Sequence, residues 1–370
     1  MKILFLSAAN SIHTVKWVNA LAQRDHEIHL VFNAGHDPKD HAVDQRVYLH
    51  RLKHSGTKGY YLNAFALNRL AKTIAPDVIN VHYASGYGTL ARMSRIGPVL
   101  LSIWGSDVYD FPYESAVKKR ILQKNVRYAS GLASTSHCMA DQLRTLMNDS
   151  ASEIAVTPFG VDLDAFDPDR FVQKPNDKIL LGNVKALAPV YGITDFIDAV
   201  AQLRNGLIAK GDRETADRIV VHIYGDGPQR QEIEEKIREA QLEQVVFLKG
   251  RVPNTQVPEI LSGFDVFCAV SKKESFGVAA VEAMAMSVPV VVSDADGFKE
   301  VVVDQTTGLI VPRGDVNAIA QALERLVCDA QLRRTMGQNG RAHVKEYYDF
   351  KKNVDTMEEL YRMFRSQYGK

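Results

Sequence analysis

Cysteine is scarce in this 370-residue chain, which contains only Cys138, Cys268 and Cys328. Their number is odd, and their separations do not match the closely spaced ligand pairs of zinc sites. The sequence therefore predicts neither a disulfide framework nor a metal site. We expect three reduced thiols, as in a cytoplasmic protein.

Long apolar runs are also missing. The N-terminal segment M-K-I-L-F-L-S-A-A-N is too short for a signal peptide or a membrane span, and no other segment nears the length that a bilayer requires. Net charge is only +1, with 20 Lys and Arg against 16 Asp and Glu in residues 1–175, and 25 against 28 in the remainder. This balance argues against nucleic acid as a main partner and leaves room for an anionic membrane surface at the first half.

The chain does contain two series of short buried strands alternating with amphipathic helices. The first series runs from the strand Lys2 to Ala8 as far as the strand Ile154 to Thr157, and it includes a helix from Tyr60 to Ile74 and the strand Val78 to His82. The second series begins at the strand Ile179 to Gly182. Each strand-then-helix step favours a parallel, doubly wound α/β sheet. Sites in such sheets lie at the carboxyl ends of the strands.

A turn-rich segment separates the two series. Residues Pro158 to Lys178, P-F-G-V-D-L-D-A-F-D-P-D-R-F-V-Q-K-P-N-D-K, have the composition of a linker. We therefore predict one domain over residues 1–174 and a second over residues 175–346. Residues 347–370 include an amphipathic segment that is expected to form a closing helix.

The stretch from Ser271 to Pro312 carries the clearest chemistry. Glu274 and Gly277 lie in a polar loop after an apolar run, and Glu282 follows one turn into a helix of small residues. A helix that starts near Gly277 directs unpaired N-H groups and the positive end of its dipole at an anion such as phosphate. Two carboxylates beside a phosphate site indicate contacts to sugar hydroxyls, although each Glu alone is ordinary for a solvated loop or helix face.

The motifs in and around this stretch resemble the retaining glycosyltransferases of the GT-B fold, family 4. The resemblance rests on these segments: E-S-F-G-V-A-A-V-E, P-V-V-V-S-D, T-G-L-I-V-P, P-F-G-V-D-L-D-A-F-D-P, G-D-G-P and V-V-F-L-K-G-R-V. It implies two Rossmann-like doubly wound domains facing a cleft, with the nucleotide-sugar donor in the second domain and the acceptor in the first. It also implies that the closing helix packs back on the first domain, and that no metal or organic cofactor is needed.

The resemblance assigns roles to individual residues. Glu274 would face the hydroxyls of the donor sugar, and Glu282 would accept hydrogen bonds from the ribose. The backbone N-H groups of Phe276, Gly277 and Val278 would meet the diphosphate, which agrees with the anion site expected at a helix start.

Three further donor-site residues are candidates with open alternatives. Glu300 is a site residue or a helix cap, and Arg251 stacks near the base or is a solvated loop residue. Family members usually hold the diphosphate with an Arg and a Lys, but here Lys185 stands where the Arg belongs, and Val190 or Tyr191 where the Lys belongs. Either another base substitutes, or the helix end suffices, or the protein is a weak or altered transferase. Lys185 as a plain surface lysine stays open.

In the first domain, His13 at a helix start and Asp107 in the turn S-I-W-G-S-D are the catalytic candidates, together with Glu274. A packed or solvated His13 is the alternative. Many relatives carry a histidine near the reacting carbon where this chain has Trp104. Because an indole does not transfer protons as an imidazole does, Trp104 is expected either to stack on a sugar or to pack in the core.

A predicted helix from Ala116 to Tyr128 is strongly basic. Its cations are Lys118, Lys119, Arg120, Lys124 and Arg127. This pattern is typical of an ordinary solvated amphipathic helix, and it also suits a helix lying on anionic lipid.

Together these features predict a glycosyltransferase that moves a sugar from a nucleotide diphosphate sugar to an acceptor hydroxyl with retention. UDP is favoured over GDP, and the expected acceptor is a lipid-linked or polysaccharide-precursor glycan of cell-envelope biosynthesis. We expect a cytoplasmic enzyme that is peripheral on the inner face of the membrane. The alternatives are a catalytically impaired nucleotide-sugar-binding protein and a GT-B-shaped nucleotide-sugar epimerase.

Overall fold

The computed structural model describes residues 1–39, 42–171 and 177–369. The chain divides into two compact units, Met1–Phe159 with Lys351–Lys370, and Gly160–Phe350. The boundary that the sequence places between residues 174 and 175 lies outside the described residues.

The first unit is built on a seven-stranded sheet in the order β3-β2-β1-β4-β5-β6-β7, with every pair parallel. The strands are β1 (Lys2–Leu6), β2 (Glu27–Ala34), β3 (Tyr48–Ser55), β4 (Val78–His82), β5 (Val99–Ile103), β6 (Gly131–Ser134) and β7 (Ala155–Val156). The central strands are buried on both faces, as a parallel sheet covered by helices requires. Their helices are α1 (Ile12–Ala22), α2 (Gly56–Leu62), α3 (Ala64–Ile74), α4 (Gly86–Ser94), α5 (Ser106–Tyr109), α6 (Ala116–Tyr128) and α7 (His137–Met147).

The second unit repeats the plan with a six-stranded parallel sheet in the order β10-β9-β8-β11-β12-β13. Its strands are β8 (Ile179–Val184), β9 (Ile219–Tyr224), β10 (Val246–Gly250), β11 (Val266–Ala269), β12 (Val290–Ser293) and β13 (Gly308–Val311). Its helices are α8 (Ile193–Ala209), α9 (Arg213–Arg218), α10 (Arg230–Glu239), α11 (Val257–Ser262), α12 (Val278–Ala285), α13 (Asp296–Val301), α14 (Val316–Cys328) and α15 (Ala330–Tyr347). The predicted α/β class with two doubly wound sheets is confirmed.

The last helix, α16 (Phe350–Tyr368), lies almost wholly in the first unit. Glu358 Oε1 lies 2.8 Å from His26 Nε2, and the Tyr361 hydroxyl donates to Asn80 Oδ1 at 2.9 Å. Tyr361 is fully buried. The helix is therefore held through both its polar and its aromatic residues.

Two local features differ from the sequence-based expectation. Strand β3 was not predicted, because it is an edge strand in which cations and histidines interrupt the apolar pattern. A single helix was expected over residues 60–74, but the structure breaks it at Asn63. The Asn63 side chain donates to Asn33 Oδ1 and to the His54 carbonyl, both at 2.9 Å, which ties the break to the sheet.

Within the described residues, no helix is both long and apolar enough to cross a bilayer. In the same part of the chain, no three His, Cys, Asp or Glu residues are grouped so that they could hold a metal ion. The three cysteines are free thiols, and Cys268 is buried in β11.

Candidate active site

An ion pair lies at the carboxyl edge of the second sheet. Lys185 follows β8, Glu274 follows β11, and Lys185 Nζ donates to Glu274 Oε2 at 2.8 Å. The two side chains are only 18% and 12% exposed, respectively. Two opposite charges that are largely shielded from water attract each other strongly, so Lys185 and Glu274 hold each other in place at this edge of the sheet.

The surroundings of Lys185 keep it charged. Burial lowers the pKa of Lys185, but the charge and hydrogen bond of Glu274, with smaller contributions from Tyr191 and Glu282, raise that pKa above its usual value. Its Nζ also lies 4.7 Å from the centre of the Tyr191 ring, within cation-π range. The structure thus brings Lys185, Glu274 and Glu282 together and adds Tyr191, one of the two residues that stand where the family resemblance leads us to expect a lysine.

Glycines fix the turn that carries Lys185. A Cβ on Gly225 would fall 1.9 Å from the Lys185 carbonyl oxygen, and one on Gly227 would fall 2.4 Å from the Leu187 carbonyl oxygen. The Lys185 N-H donates to the Tyr224 carbonyl at 2.9 Å. The G-D-G-P segment therefore serves as a close-packing turn between the ends of β8 and β9, rather than as a dinucleotide fingerprint.

Glycines also fix the loop that carries Glu274. The Gly297 N-H donates to the Glu274 carbonyl at 2.9 Å, and a Cβ on Gly297 would lie 2.4 Å from the Phe276 nitrogen. Gly277 has φ 98°, a left-handed conformation, and it caps the start of α12. The loop is thus held against the start of α13 and leads directly into a helix N-terminus.

The remaining donor-site candidates lie along the same edge. Phe276 is 2% exposed and packs edge-on against Tyr348 at 5.7 Å, so its side chain anchors the loop. Val278 is the first residue of α12, and Glu300 lies in α13. Arg251 is exposed and follows β10 directly. Their ligand contacts stay predictions.

The carboxyl edge of the first sheet holds a cluster of aromatic rings instead. Trp104 is 7% exposed, and its ring centre lies 4.1 Å from that of His82, 5.4 Å from Tyr83 and from Phe159, and 6.0 Å from His13. His13 also stacks on Phe159 at 4.1 Å. Of the two alternatives for Trp104, its low exposure and its ring contacts favour packing.

Asp107 is 1% exposed and acts on the backbone of this edge. Its Oδ2 accepts from the Ala84 N-H at 2.9 Å, and its Oδ1 accepts from the N-H groups of Gly105 at 2.8 Å and Trp104 at 3.2 Å. Burial raises the pKa of Asp107. The carboxyl group joins the turns after β4 and β5 through these backbone hydrogen bonds. A catalytic role for Asp107 stays a prediction.

His82, at the end of β4, is completely buried. Its Nε2 lies 2.7 Å from Asn80 Oδ1, and its Nδ1 has no hydrogen-bond partner within the described residues. Burial lowers its pKa to about 3. The imidazole is therefore neutral at physiological pH.

Two family models match the chain. The model described as glycosyl transferases group 1 matches residues 166–343, and the model described as glycosyl transferase 4-like matches residues 2–136. The first match contains Lys185, Glu274 and Glu282, and the second contains His13 and Trp104. Together the two models span most of the chain, and they identify it as a glycosyltransferase.

Similar proteins agree with this identification. The glycosyltransferase is 24% identical to N-acetyl-alpha-D-glucosaminyl L-malate synthase of Bacillus anthracis, over 92% of this chain and 90% of that protein. It is 24% identical to the putative teichuronic acid biosynthesis glycosyltransferase TuaC of Bacillus subtilis, over 79% of this chain and 72% of that protein. These relatives support an enzyme that transfers glycosyl groups.

Solved structures show the same fold. Sucrose-phosphate synthase from Thermosynechococcus elongatus is 20% identical, with a TM-score of 0.84 over 99% of this chain and 100% of that chain. Anabaena HepE in complex with UDP is 19% identical, with a TM-score of 0.78 over 97% of this chain and 99% of that chain. The glycosyltransferase therefore has the GT-B fold.

Sequence reasoning missed three parts of the site of this glycosyltransferase. It did not pair Lys185 with Glu274, it gave Tyr191 no contact, and it did not identify Gly297 as the residue that lets two loops touch. Only the glycine left a signal, because it follows Asp296 at the start of α13, shortly after β12. The ion pair joins residues that are 89 positions apart, so no local sequence pattern indicates it.

Proposed function

We propose that this glycosyltransferase moves a sugar from a nucleotide diphosphate sugar, with UDP favoured, to an acceptor hydroxyl with retention at the anomeric carbon. The observation that carries the proposal is the Lys185-Glu274 pair beside the N-terminus of α12. A cation and a helix start suit a diphosphate, and a carboxylate suits sugar hydroxyls. The binding of UDP by the structurally similar Anabaena HepE supports the choice of base.

In the proposed donor complex, the N-H groups at Phe276, Gly277 and Val278 bind the diphosphate, and Lys185 stabilises the charge that develops on the leaving group. A fixed donor aimed at a developing charge is worth about a hundredfold to a thousandfold in rate. Glu274 accepts hydrogen bonds from the donor sugar, and Glu282 accepts them from the ribose. Glu300 and Arg251 complete the donor side as contacts to the sugar and the base.

The bond changes balance without a protein nucleophile. The acceptor oxygen bonds to the anomeric carbon on the face from which the diphosphate leaves, and the acceptor proton passes to a diphosphate oxygen. His13, half-buried at the start of α1, is the proposed acceptor contact of the first unit. We expect no metal or organic cofactor, since Lys185 and the helix start meet the leaving charge.

The proposed acceptor is a lipid-linked or polysaccharide-precursor glycan, in line with the similarity to TuaC, a putative glycosyltransferase of teichuronic acid biosynthesis. A lipid-linked acceptor places the enzyme in the cytoplasm, at the inner face of the membrane. Helix α6 is one candidate lipid contact. Lys119, Arg120, Lys124 and Arg127 are exposed on it, whereas Lys118 pairs with Glu114.

The test is UDP release from a panel of UDP-sugars, with and without a lipid-linked glycan, for the wild type and for Glu274→Gln. We expect release that depends on acceptor and falls about a hundredfold in the variant. The matched control is Glu243→Gln, an exposed acid next to β10, which should behave as the wild type. Undiminished transfer by Glu274→Gln would contradict the proposal. Binding of UDP-sugars without turnover by the wild type would favour a catalytically impaired nucleotide-sugar-binding protein.

A further inference from the structure

Helices α2 and α3 present one continuous exposed side. Its residues recur at helical spacing and are Lys58, Tyr61, Leu62, Phe65, Arg69 and Lys72, called here the α2–α3 stripe. The opposite side packs inward through Gly59, Asn63, Leu67, Ala71 and Ile74. The two helices are therefore anchored by one side, and the stripe faces away from the core of the first unit.

The middle of the stripe is apolar. Phe65 is 82% exposed, Leu62 58% and Tyr61 43%, and they lie within one helical turn of each other. Phe65 is the most exposed large hydrophobic residue in the described part of the chain. Single exposed apolar residues are ordinary, but a group of three on one side indicates an interaction surface.

The ends of the stripe are cationic. Lys58 lies at one end and Arg69 and Lys72 at the other, all exposed, and no acidic residue occurs between positions 45 and 76. Across the described ranges, no ion pair engages any of these three cations. The stripe therefore combines protruding apolar groups with positive charge that nothing in its own helices neutralises.

We propose that the α2–α3 stripe is the surface by which this glycosyltransferase lies on an anionic lipid bilayer. Phe65 and Leu62 enter the boundary between headgroups and acyl chains, Tyr61 lies at headgroup level, and the three cations contact lipid phosphates. The choice of a membrane rests on the proposed lipid-linked acceptor. The location of the surface rests on exposure and charge alone.

Other occupants fit the stripe less well. A second copy of the chain would bring like charges together, at an energetic cost. A nucleic acid would satisfy the cations, but Leu62 offers no ring for base stacking. An anionic bilayer alone satisfies both the aliphatic and the cationic parts.

Helix α6 supplies a matched comparison within the same unit. It carries more cations than the stripe, but its exposed large apolar residue is Val117, at 64%. Charge without apolar groups holds a protein near a bilayer only through screened attraction. The α2–α3 stripe also has apolar side chains that can insert into the bilayer, whereas α6 has few of them.

The experiment is flotation of the full-length protein with vesicles of equal parts phosphatidylglycerol and phosphatidylcholine, and with phosphatidylcholine alone. The wild type should partition onto the anionic vesicles. Phe65→Ser should lower the partition coefficient about tenfold. Lys58→Gln/Arg69→Gln/Lys72→Gln should lower it about a hundredfold, since each charge near the surface contributes about fivefold.

Two controls match these variants on α6. Val117→Ser and Lys119→Gln/Arg120→Gln/Lys124→Gln should each bind within about threefold of the wild type. If the α6 variants lose binding and the stripe variants do not, α6 is the surface and the proposal is overturned. It is also overturned if the wild type ignores anionic vesicles, or if Phe65→Ser turns a dimer into a monomer in light scattering.

A UDP-induced rise in melting temperature separates this proposal from the proposed function. Phe65→Ser should keep that rise, because the residue is remote in sequence from the proposed donor site and its side chain is largely exposed. Loss of vesicle binding with retained UDP stabilisation supports the stripe. A wild type that binds vesicles without being stabilised by UDP would keep the stripe and overturn the donor assignment.

Discussion

Both sheets end in turns at the carboxyl side of parallel strands, but the second unit fills that edge with charge and the first fills it with aromatic rings. In the second, Lys185 and Glu274 remain partly exposed, and glycines hold their turns at backbone contact distance. In the first, Trp104 and His82 pack ring against ring, and Asp107 is directed at backbone amides. One architecture therefore carries two kinds of edge.

The difference indicates which edge has groups that can bind an ionic ligand. A charged pair that is partly exposed can bind an ionic ligand, whereas the aromatic cluster presents ring faces and a buried His82 whose Nδ1 has no hydrogen-bond partner within the described residues. A neutral, fully buried His82 and an indole at Trp104 do not supply a proton-transfer group. In the proposed reaction, the first edge shapes the acceptor side and the second stabilises the leaving charge.

The largest effect is expected from removing the cation of the second edge. Lys185→Met should lower kcat/KM about a thousandfold, because the leaving diphosphate loses its charged donor. Lys185→Arg should recover much of that activity. Initial rates of UDP release measure both.

Stability separates this catalytic effect from misfolding. Lys185→Met leaves a mostly buried carboxylate without its partner, so it should also lower the free energy of unfolding, by about 1–3 kcal/mol. The double variant Lys185→Met/Glu274→Gln should regain stability but not activity. If the double variant regained turnover, the reaction would not need the charge of Lys185. The second edge would then not differ from the first in the way described.

The second prediction concerns the closed state of the first edge. The folded protein holds the His82 pKa at about 3, below the usual 6.5. As pH falls from 6.5 toward 3, the unfolded chain gains a proton that the folded chain does not, so stability declines. The decline from His82 should be about 2 kcal/mol between pH 7 and pH 5.

Urea denaturation at both pH values measures this decline. His82→Leu should lose it, whereas His54→Leu, a half-buried histidine at the end of β3, should keep it. An unchanged slope in His82→Leu would mean that His82 titrates as in water. The first edge would then be open to solvent, and the contrast between the edges would fail.

The strands that lead to the two edges could be predicted from the sequence, but the contacts between the residues at each edge could not. Buried strands such as Val78–His82 were predicted with the observed bounds, because uninterrupted apolar runs depend on local pattern. The spacing of Glu274 and Glu282 also pointed to the loop between β11 and α12, where the Lys185-Glu274 pair lies, and the role of this loop in donor binding stays a prediction. The Lys185-Glu274 pair and the burial of Asp107 depend on contacts between distant turns, which a local pattern does not encode.

The smallest expected effect concerns Tyr191, which, like Val190, stands where the family resemblance leads us to expect a second cation. Its ring contacts the Lys185 ammonium at 4.7 Å, so it acts as a positioning residue for that group. Tyr191→Leu should weaken UDP binding about threefold to tenfold, the size of a partly desolvated cation-π contact. Tyr191→Phe keeps the ring and should bind within about twofold of the wild type.

Calorimetric titration with UDP measures this effect, and a second titration of the variants in the Lys185→Met background makes it specific. There, Tyr191→Leu should have no further effect, because the ring no longer has a cation to hold. If Tyr191→Leu weakens binding equally in both backgrounds, Tyr191 contacts the ligand itself. The second edge would then resemble the first more closely, with an aromatic ring and not only a charged pair meeting the ligand.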